Sequence, residues 1–385
     1  MAVSPVAVSP DTVRKPNARL LINGNEIPGL IEAEVDNNNF YAADEWRASV
    51  VLSRQPKETG WDFWASTPGL TANILLGERG AETSVIVGEV DRCATDPVRD
   101  VVILNGRDMS ASLIDNRTRN KYLNWPVHRV VERIANRHRL SAVVTETPEL
   151  AGTLFNNEVS EIDLGPSHWD LLTFLAQQTG RTLYVRDNTI YFVDESFVER
   201  TPYPVVWSGK PATAENPRAA LMSIELERNL VLAQDVVVNV LSYNMGTGEV
   251  VEATAESSSR IPIVDHRGRR RFKQVYTREI PDLTEAEADA RATKLLEEIT
   301  QHERRLRFRA PGDNALTTQS LIQLSGTGTS YDQDYYPDHI IRRWSWDEGY
   351  IMNVRAKNHS PVSTVSGRGV PSIPAPTAPP PRTPE

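Results

Sequence analysis

The chain has 385 residues, with 42 basic against 51 acidic side chains and a formal net charge of −9. That length predicts two or three domains with cores of their own, and the negative sign argues against a surface that grips nucleic acid by neutralising phosphates. No apolar run approaches the ~18 residues that cross a bilayer and no basic-then-apolar leader opens the chain, so it is expected to be soluble; the single cysteine, Cys93, excludes an internal disulfide or a thiolate zinc cluster and reads as a small hydrophobe on a strand.

Residues 1–18 carry Pro5, Pro10 and Pro16 among small polar residues, which predicts a flexible N-terminal arm. From Arg19 the pattern turns to strands. Leu20, Leu21 and Ile22 run into Asn23-Gly24, a hairpin signal, and then into Ile27 and Leu30-Ile31. Ala33 to Val35 precede a turn through Asn37-Asn38-Asn39 and the pair Phe40-Tyr41. Trp46, Ala48, Val50 and Leu52 then alternate with Arg47, Ser49 and Val51, the mark of a half-buried strand. With Ala72 to Leu76 and the two β-rich runs between Val85 and Leu104, joined by a turn at Asp96-Pro97, about six or seven short strands fill 19–116. That stretch reads as a first small β-barrel, and Asn105 to Asp115 lead out of it.

After Asp115 the period becomes helical. Pro126 suits the first position of a helix, with Val127, Val130, Val131, Ile134 and Ala135 on one face and Arg129, Arg133 and Arg137 as a solvated ridge on another. A second helix follows Gly165-Pro166, with Ser167 as N-cap, Asp170 near its positive end, a body from Trp169 to Thr179 that is apolar nearly all round, and Gly180 as its stop. Arg181 to Arg186 and Thr189 to Val193, joined by Asp187-Asn188, make a hairpin, so 117–200 reads as an α/β domain. Prolines and small residues from Pro202 to Pro217 mark a connection. Strands resume at Leu221 to Leu226, Val231 to Leu241 and Glu249 to Ala255, and return at Leu306 to Arg309, Ser320 to Leu324, His339 to Trp346 and Ile351 to Ala356. Between them lie a polar segment and a helix from about Leu283 to His302, opened by the capping box Thr284 to Glu287. Residues 201–360 are therefore expected to be a second β-barrel with a loop and helix inserted at 257–302, and 361–385 a Pro-rich flexible tail. The fold class is α+β, mainly β: two small β-barrel, tube-like modules plus a helix-hairpin α/β unit.

Few groupings point to chemistry. Ser167, His168 and Asp170 are the residue types of a hydrolase triad, but within one helical start they cannot form a relay, and capping explains Ser167 and Asp170. Asp194 and Glu195 are neighbours on a strand and point to opposite faces. Asp332, Asp334 and Asp338-His339 are the nearest thing to a metal site, but Tyr336 and Pro337 stand where a calcium loop of the EF-hand type needs oxygen ligands, so a solvated acidic loop is expected. The seven histidines are scattered and no phosphate-cradling glycine loop is present. No catalytic, cofactor-binding or metal-ligating residue is therefore assigned, no cofactor is expected, and the chain does not read as an enzyme. The sharpest charge feature is the basic run Arg267, Arg269, Arg270, Arg271 and Lys273, a solvated loop by default and next a contact for a protein partner.

These segments resemble the central baseplate hub proteins of contractile phage tails, the late-control hub family, which is similar to the N-terminal hub of type VI secretion spike proteins. The residues that carry the resemblance are Leu21-Ile22-Asn23-Gly24 with Ile27 and Gly29, Ala42-Ala43-Asp44 before Trp46, Gly88-Glu89-Val90-Asp91, and Leu104-Asn105-Gly106-Arg107-Asp108 leading to Leu113-Ile114-Asp115. Further on they are Trp169-Asp170-Leu171-Leu172 with Leu175-Ala176 and Gly180, Tyr184, Ile190 to Phe192, the Ala- and Glu-rich helix, Leu321 to Gly328 and Gly349-Tyr350-Ile351. The likeness spans roughly 19–358, and its weight comes from the order of the motifs. It implies a structural hub: a homotrimer whose two barrels per chain form a pseudo-sixfold ring, joining the tail tube to a threefold central spike and lining a channel through which DNA passes without specific binding. It further implies contacts to other baseplate proteins and the tape measure protein, no stable membrane insertion, assembly in the host cytoplasm and a final place in the virion. A reading from a different class is a cell-wall-degrading or carbohydrate-binding β protein of the tail tip, with Trp61 and Trp64 stacking on sugars.

Overall fold

Between Pro16 and Asp108 the alternation of apolar and polar residues builds the first β module. Its elements are β1 (Pro16–Ile22), β2 (Asn25–Glu26), β3 (Leu30–Asn38), β4 (Glu45–Val51), α1 (Trp61–Ser66), β5 (Thr71–Glu78), β6 (Thr83–Asp96) and β7 (Val101–Asp108). This is a computed structural model, and it describes residues 14–39, 41–117, 122, 125–146, 150–151, 166–194, 202–207, 221–229, 236–243, 250–256, 274–280, 283–300 and 303–358. The basic run at 267–273, the tail at 361–385 and most of the N-terminal arm lie outside the described residues.

The inward face of the first module gathers Leu20, Ile22, Val35, Trp46, Ala48, Val50, Ile74, Leu76, Val102 and Leu104 into one core, which Trp64 of α1 enters from the side. The Asn23-Gly24 turn takes left-handed φ values of 49° and 81°, which only such residues adopt readily. Gly106 is required by packing, because a Cβ there would meet the Glu89 carbonyl oxygen and the Trp46 ring. The expected hairpin is present: β6 pairs antiparallel with β7 from Asp96↔Val101 to Gly88↔Asp108, with a bulge at Val90/Arg92.

The chain leaves β7 through α2 (Ala111–Asp115) into the α/β unit, made of β8 (Trp125–Pro126), α3 (Val127–Arg137), β9 (Ser141–Val144), β10 (Leu150–Ala151), α4 (His168–Thr179), β11 (Arg181–Arg186) and β12 (Thr189–Asp194). Pro126 stands one residue before the helix, not in its first position, because its extended backbone pairs with Leu150. The predicted apolar face of α3 and the body of α4 share one core with Leu183, Ile190 and Phe192. α4 begins at a capping box in which Ser167 and Asp170 satisfy each other's backbone N–H, and Gly180 ends it at φ 66°.

The second β module consists of β13 (Tyr203–Val206), β14 (Ser223–Arg228), β18 (Arg304–Pro311), β19 (Ile322–Ser325), β20 (Asp334–Ser345) and β21 (Gly349–Asn358), around a core of Val205, Leu306, Phe308, Ile322, Tyr335, Ile340 and Val354. Inserted in it are β15 (Val236–Tyr243), β16 (Val250–Glu256), β17 (Gln274–Glu279) and α5 (Glu285–Thr300). The sequence placed β15 and β16 in the second barrel; they pair instead with each other and with β17 in a separate three-stranded sheet. The reason is that Val236, Val238, Val240 and Ala253 need a cover, and Ala288 and Ala292 of α5 supply it. The helix falls where expected, but the side chain of Glu287, on which the predicted capping box depends, lies outside the described residues.

The two modules share one sheet. β20 pairs with β3 from His339↔Asn38 to Ser345↔Glu32, so strands run β14-β18-β21-β20-β3-β4-β7-β6 without a break, every neighbour antiparallel. Trp344 and Tyr350, from the second module, are buried in the first module's core. The result is an α+β, mainly β fold.

Candidate functional site

The eight-strand path presents one continuous outer face. Its inward side chains are the two apolar cores, so period-two alternation sends the intervening residues outward. Glu225 and Glu227 on β14 face Arg307 and Arg305 on β18, and Arg307 and Arg305 face Arg355 and Lys357 on β21. Across the seam, Arg343 and His339 of β20 meet acidic β3, with Arg343 3.2 Å from Glu32 and His339 3.2 Å from Asp36. Arg107 on β7 donates to Asp91 at 2.7 Å and to Asp115 at 2.8 Å. Exposed pairs of this kind contribute little stability each. Their effect is a hydrophilic wall in which the acidic columns of β14 and β3 flank a basic block on β18, β21 and β20.

Behind the wall, the first module, the α/β unit and the loop after β18 line a half-open cavity of about 160 Å³. Asp44, Asp108 and Arg342 line it. Asp44 accepts hydrogen bonds from Asn37 Nδ2 at 2.6 Å and Asn38 N at 2.9 Å, while Asp108 accepts from Ser110 N at 3.1 Å and Ser110 Oγ at 2.5 Å. Burial pushes Asp44 up to about 6; burial and the neighbouring Asp44 charge push Asp108 up to about 7. Arg342 is 4% exposed and donates to Asn37 Oδ1 and to the Leu316 carbonyl, tying the second module to the first.

A second buried cluster lies in the α/β unit. His138 Nε2 is 2.8 Å from His168 Nδ1, and His138 Nδ1 is 3.1 Å from Ser112 Oγ on α2. Burial lowers both imidazoles, His168 to about 4, with the second ring adding to the effect there. The pair joins α2, the end of α3 and the start of α4 as neutral hydrogen-bonded groups.

The sequence candidates fall elsewhere. Ser167 and Asp170 cap α4, and His168 turns to His138 and not to Ser167, so no relay forms. Asp194 pairs with Arg181, and Glu195 lies outside the described residues. Asp332 accepts from Thr327 N, Thr327 Oγ and Gly328 N, Asp338 pairs with Lys357 at 3.3 Å, and no three potential metal ligands come together among the described residues. In the arginine ridge, Arg133 lies over the Trp125 ring, 5.2 Å from its centre, and Arg129 is 3.8 Å from Glu132. Trp64 is core and Trp61 is exposed, so the two do not form a sugar-stacking pair. Cys93 is half-buried against the first core, and burial raises its thiol. The acid pair and the histidine pair were missed because their members lie far apart in sequence; Asn37-Asn38-Asn39, read only as a turn, was the one local signal beside them.

The sequence matches no protein-family model and no curated protein. The structure is similar to a tail protein from Neisseria meningitidis, with a TM-score of 0.66 at 14% identity over 90% of this chain and 97% of that one. It is similar to the 43 kDa tail protein of prophage MuSo2 from Shewanella oneidensis, with a TM-score of 0.61 at 11% identity over 89% and 98% of the two chains. It is also similar to an E. coli component of the type VI secretion system that itself resembles bacteriophage T4 tail proteins, with a TM-score of 0.50 at 10% identity over 89% of this chain and 77% of that one. The chain therefore has the fold of phage tail proteins and of type VI secretion components, the fold that the order of its motifs implied.

Proposed function

We propose that this protein is a structural baseplate hub of a contractile tail, a homotrimer whose two β modules per chain form a pseudo-sixfold ring between the tail tube and a threefold spike. The observation that carries the reading is the unbroken sheet across β20 and β3, which makes each chain one polar wall segment eight strands wide. Three copies would line a ring with about 24 strands at roughly 4.8 Å each, a backbone diameter of roughly 37 Å before strand tilt widens it. Side chains of about 5 Å on either side leave a bore of roughly 27 Å, wide enough for duplex DNA, whereas a barrel of about eight strands is filled by its own side chains. The acidic columns on β14 and β3, on either side of the basic block, favour passage over capture, because a wall of uniform positive charge would bind DNA through counterion release. No catalytic role is assigned, and the virion tail is the proposed location.

Native mass spectrometry of the full chain with its spike and tube proteins tests this. A homotrimer bound to spike, seen as a ring by electron microscopy, is the expected result. A chain that stays monomeric with both partners present overturns it.

A further inference from the structure

The wall has two open ends. β14 pairs with β18 on one side, and among the described residues nothing pairs with its other edge. At the far end β6 is longer than its neighbour: its pairing with β5 stops at Glu89, and beyond Val90, whose N–H donates to the Leu70 carbonyl, Asp91–Asp96 pair only with β7. Neither edge carries a proline or lysine to block a further strand. Resting on the trimeric-ring reading above, we infer that the β14 edge of one copy pairs with the Asp91–Asp96 edge of β6 in the next, so that the sheet continues from chain to chain around the ring.

Strand direction supports the join. Eight strands that alternate throughout begin and end in opposite directions, so β6 followed by the next copy's β14 is again antiparallel. The contact is head to tail, between two different patches, the type that closes into rings. Register follows from faces. Ser223 begins β14 and Asp96 ends β6, across from Arg309 and Val101 respectively, and both face outward. The ladders across the wall carry Ser223 level with Glu89, so bringing it to Asp96 of the next copy is a stagger of about seven residues over eight strands, the shear that a tilted closed sheet requires. Setting them level pairs Glu227 with Arg92 on the outer face, opposite charges directly across the join. Arg92 has no ion pair among the described residues, and the Glu227 carboxylate is only loosely held, 3.6 Å from Arg307. The same register puts Leu226 opposite Cys93, and both belong to inward faces, packing on the second and first cores. A slip of one residue would turn an inward face outward, so the permitted registers differ by two and set Ile224, Leu226 or Arg228 opposite Cys93.

Cys93 is the chain's only thiol, which supplies the test. Ile224→Cys, Leu226→Cys and Arg228→Cys are each made in the full chain, assembled with the spike protein, and oxidised. A disulfide needs Cα atoms roughly 4.4–6.8 Å apart, which directly opposed strand residues satisfy. One variant, Leu226→Cys in the level register, should give covalent dimers and trimers on a non-reducing gel, lost when Cys93→Ser is added. As a second arm, Arg92→Glu and Glu227→Arg should each reduce the trimer fraction several-fold, and the two together should restore it. A native trimer in which none of the three cysteine variants cross-links and the charge reversals have no effect overturns the join while leaving the hub reading intact. Absence of any trimer with spike and tube present overturns both.

Discussion

The first β module has two neighbours and is joined to them in different ways. To the second module it is joined by backbone: β3 and β20 exchange ladder hydrogen bonds along their lengths, and Trp344 and Tyr350 sit in the neighbouring core. To the α/β unit it is joined mainly by single contacts, such as Trp169 Nε1 donating to the Tyr41 carbonyl at 2.6 Å and Ser84 Oγ 3.5 Å from Asp187. A ladder with an interlocked core can open only by unfolding, whereas isolated contacts can be exchanged one at a time. The wall is thus the rigid part and the α/β unit an attachment to it.

Trp344→Ala is the strongest way to break this contrast. Emptying a buried indole costs about 3–5 kcal/mol. Because the cavity opens in the first module while the residue belongs to the second, hydrogen exchange should rise in β4 and β21 together. Leu172→Ala, costing about 2–5 kcal/mol in the α/β core, should raise exchange in α3 and β12 and leave β3 and β20 protected. Equal loss of protection at the seam in both variants would mean that the wall is not a separate unit. Arg342→Ala comes next, at about 3 kcal/mol, since it leaves Asn37 and the Leu316 carbonyl without their donor. Arg342→Met, which fills most of the volume without a charge, should lose less, as urea midpoints would show.

The two buried polar clusters respond to pH with opposite signs. Asp44 and Asp108 have folded values of about 6 and about 7, above the ordinary carboxyl value, so the native state holds protons that the unfolded chain has released. Their contribution is full below about pH 4 and is lost as pH rises toward 7. His168, at about 4, is depressed, so the native state resists a proton that the unfolded chain takes up, and stability is lost as pH falls from about 6.5 toward 4. At about 1.4 kcal/mol for each pH unit by which a group is displaced, the acid pair should give the larger of the two slopes. Asp108→Asn should flatten the fall of seam stability between pH 5 and pH 8, read from exchange in β3 and β7. His168→Phe should flatten the opposite trend in α3 and α4. Exchange rates in both regions that move in the same direction with pH would refute the assignment.

How much of this was legible in the sequence depended on distance along the chain. The first module is contiguous, and its alternation at Trp46, Ala48 and Val50, its Asn23-Gly24 turn and its hairpin could be read directly. The second is split, and β15 looked like any other strand of it because the residues that cover Val236 and Val240 arrive only with α5. The seam was illegible for the same reason: nothing local in Glu32 or Asp36 says that Arg343 and His339 will stand beside them. The acid and histidine pairs likewise depend on distant partners, and burial, which sets their protonation, is a property of the assembled fold.

Ser167 was the exception, a site residue whose role was readable from its neighbours, and it offers the smallest test of the contrast. Its side chain accepts from Asp170 N at 2.9 Å, and Asp170 Oδ2 accepts from Ser167 N at 3.0 Å. Ser167→Ala removes one half of that exchange and should cost about 1 kcal/mol. The loss should appear as faster exchange in the first turn of α4, next to His168, with β3, β20 and the rest of the wall unchanged. Should so small a change at the attachment also loosen the seam, the α/β unit would be a structural part of the wall, and the division between ladder and contact would have to be abandoned.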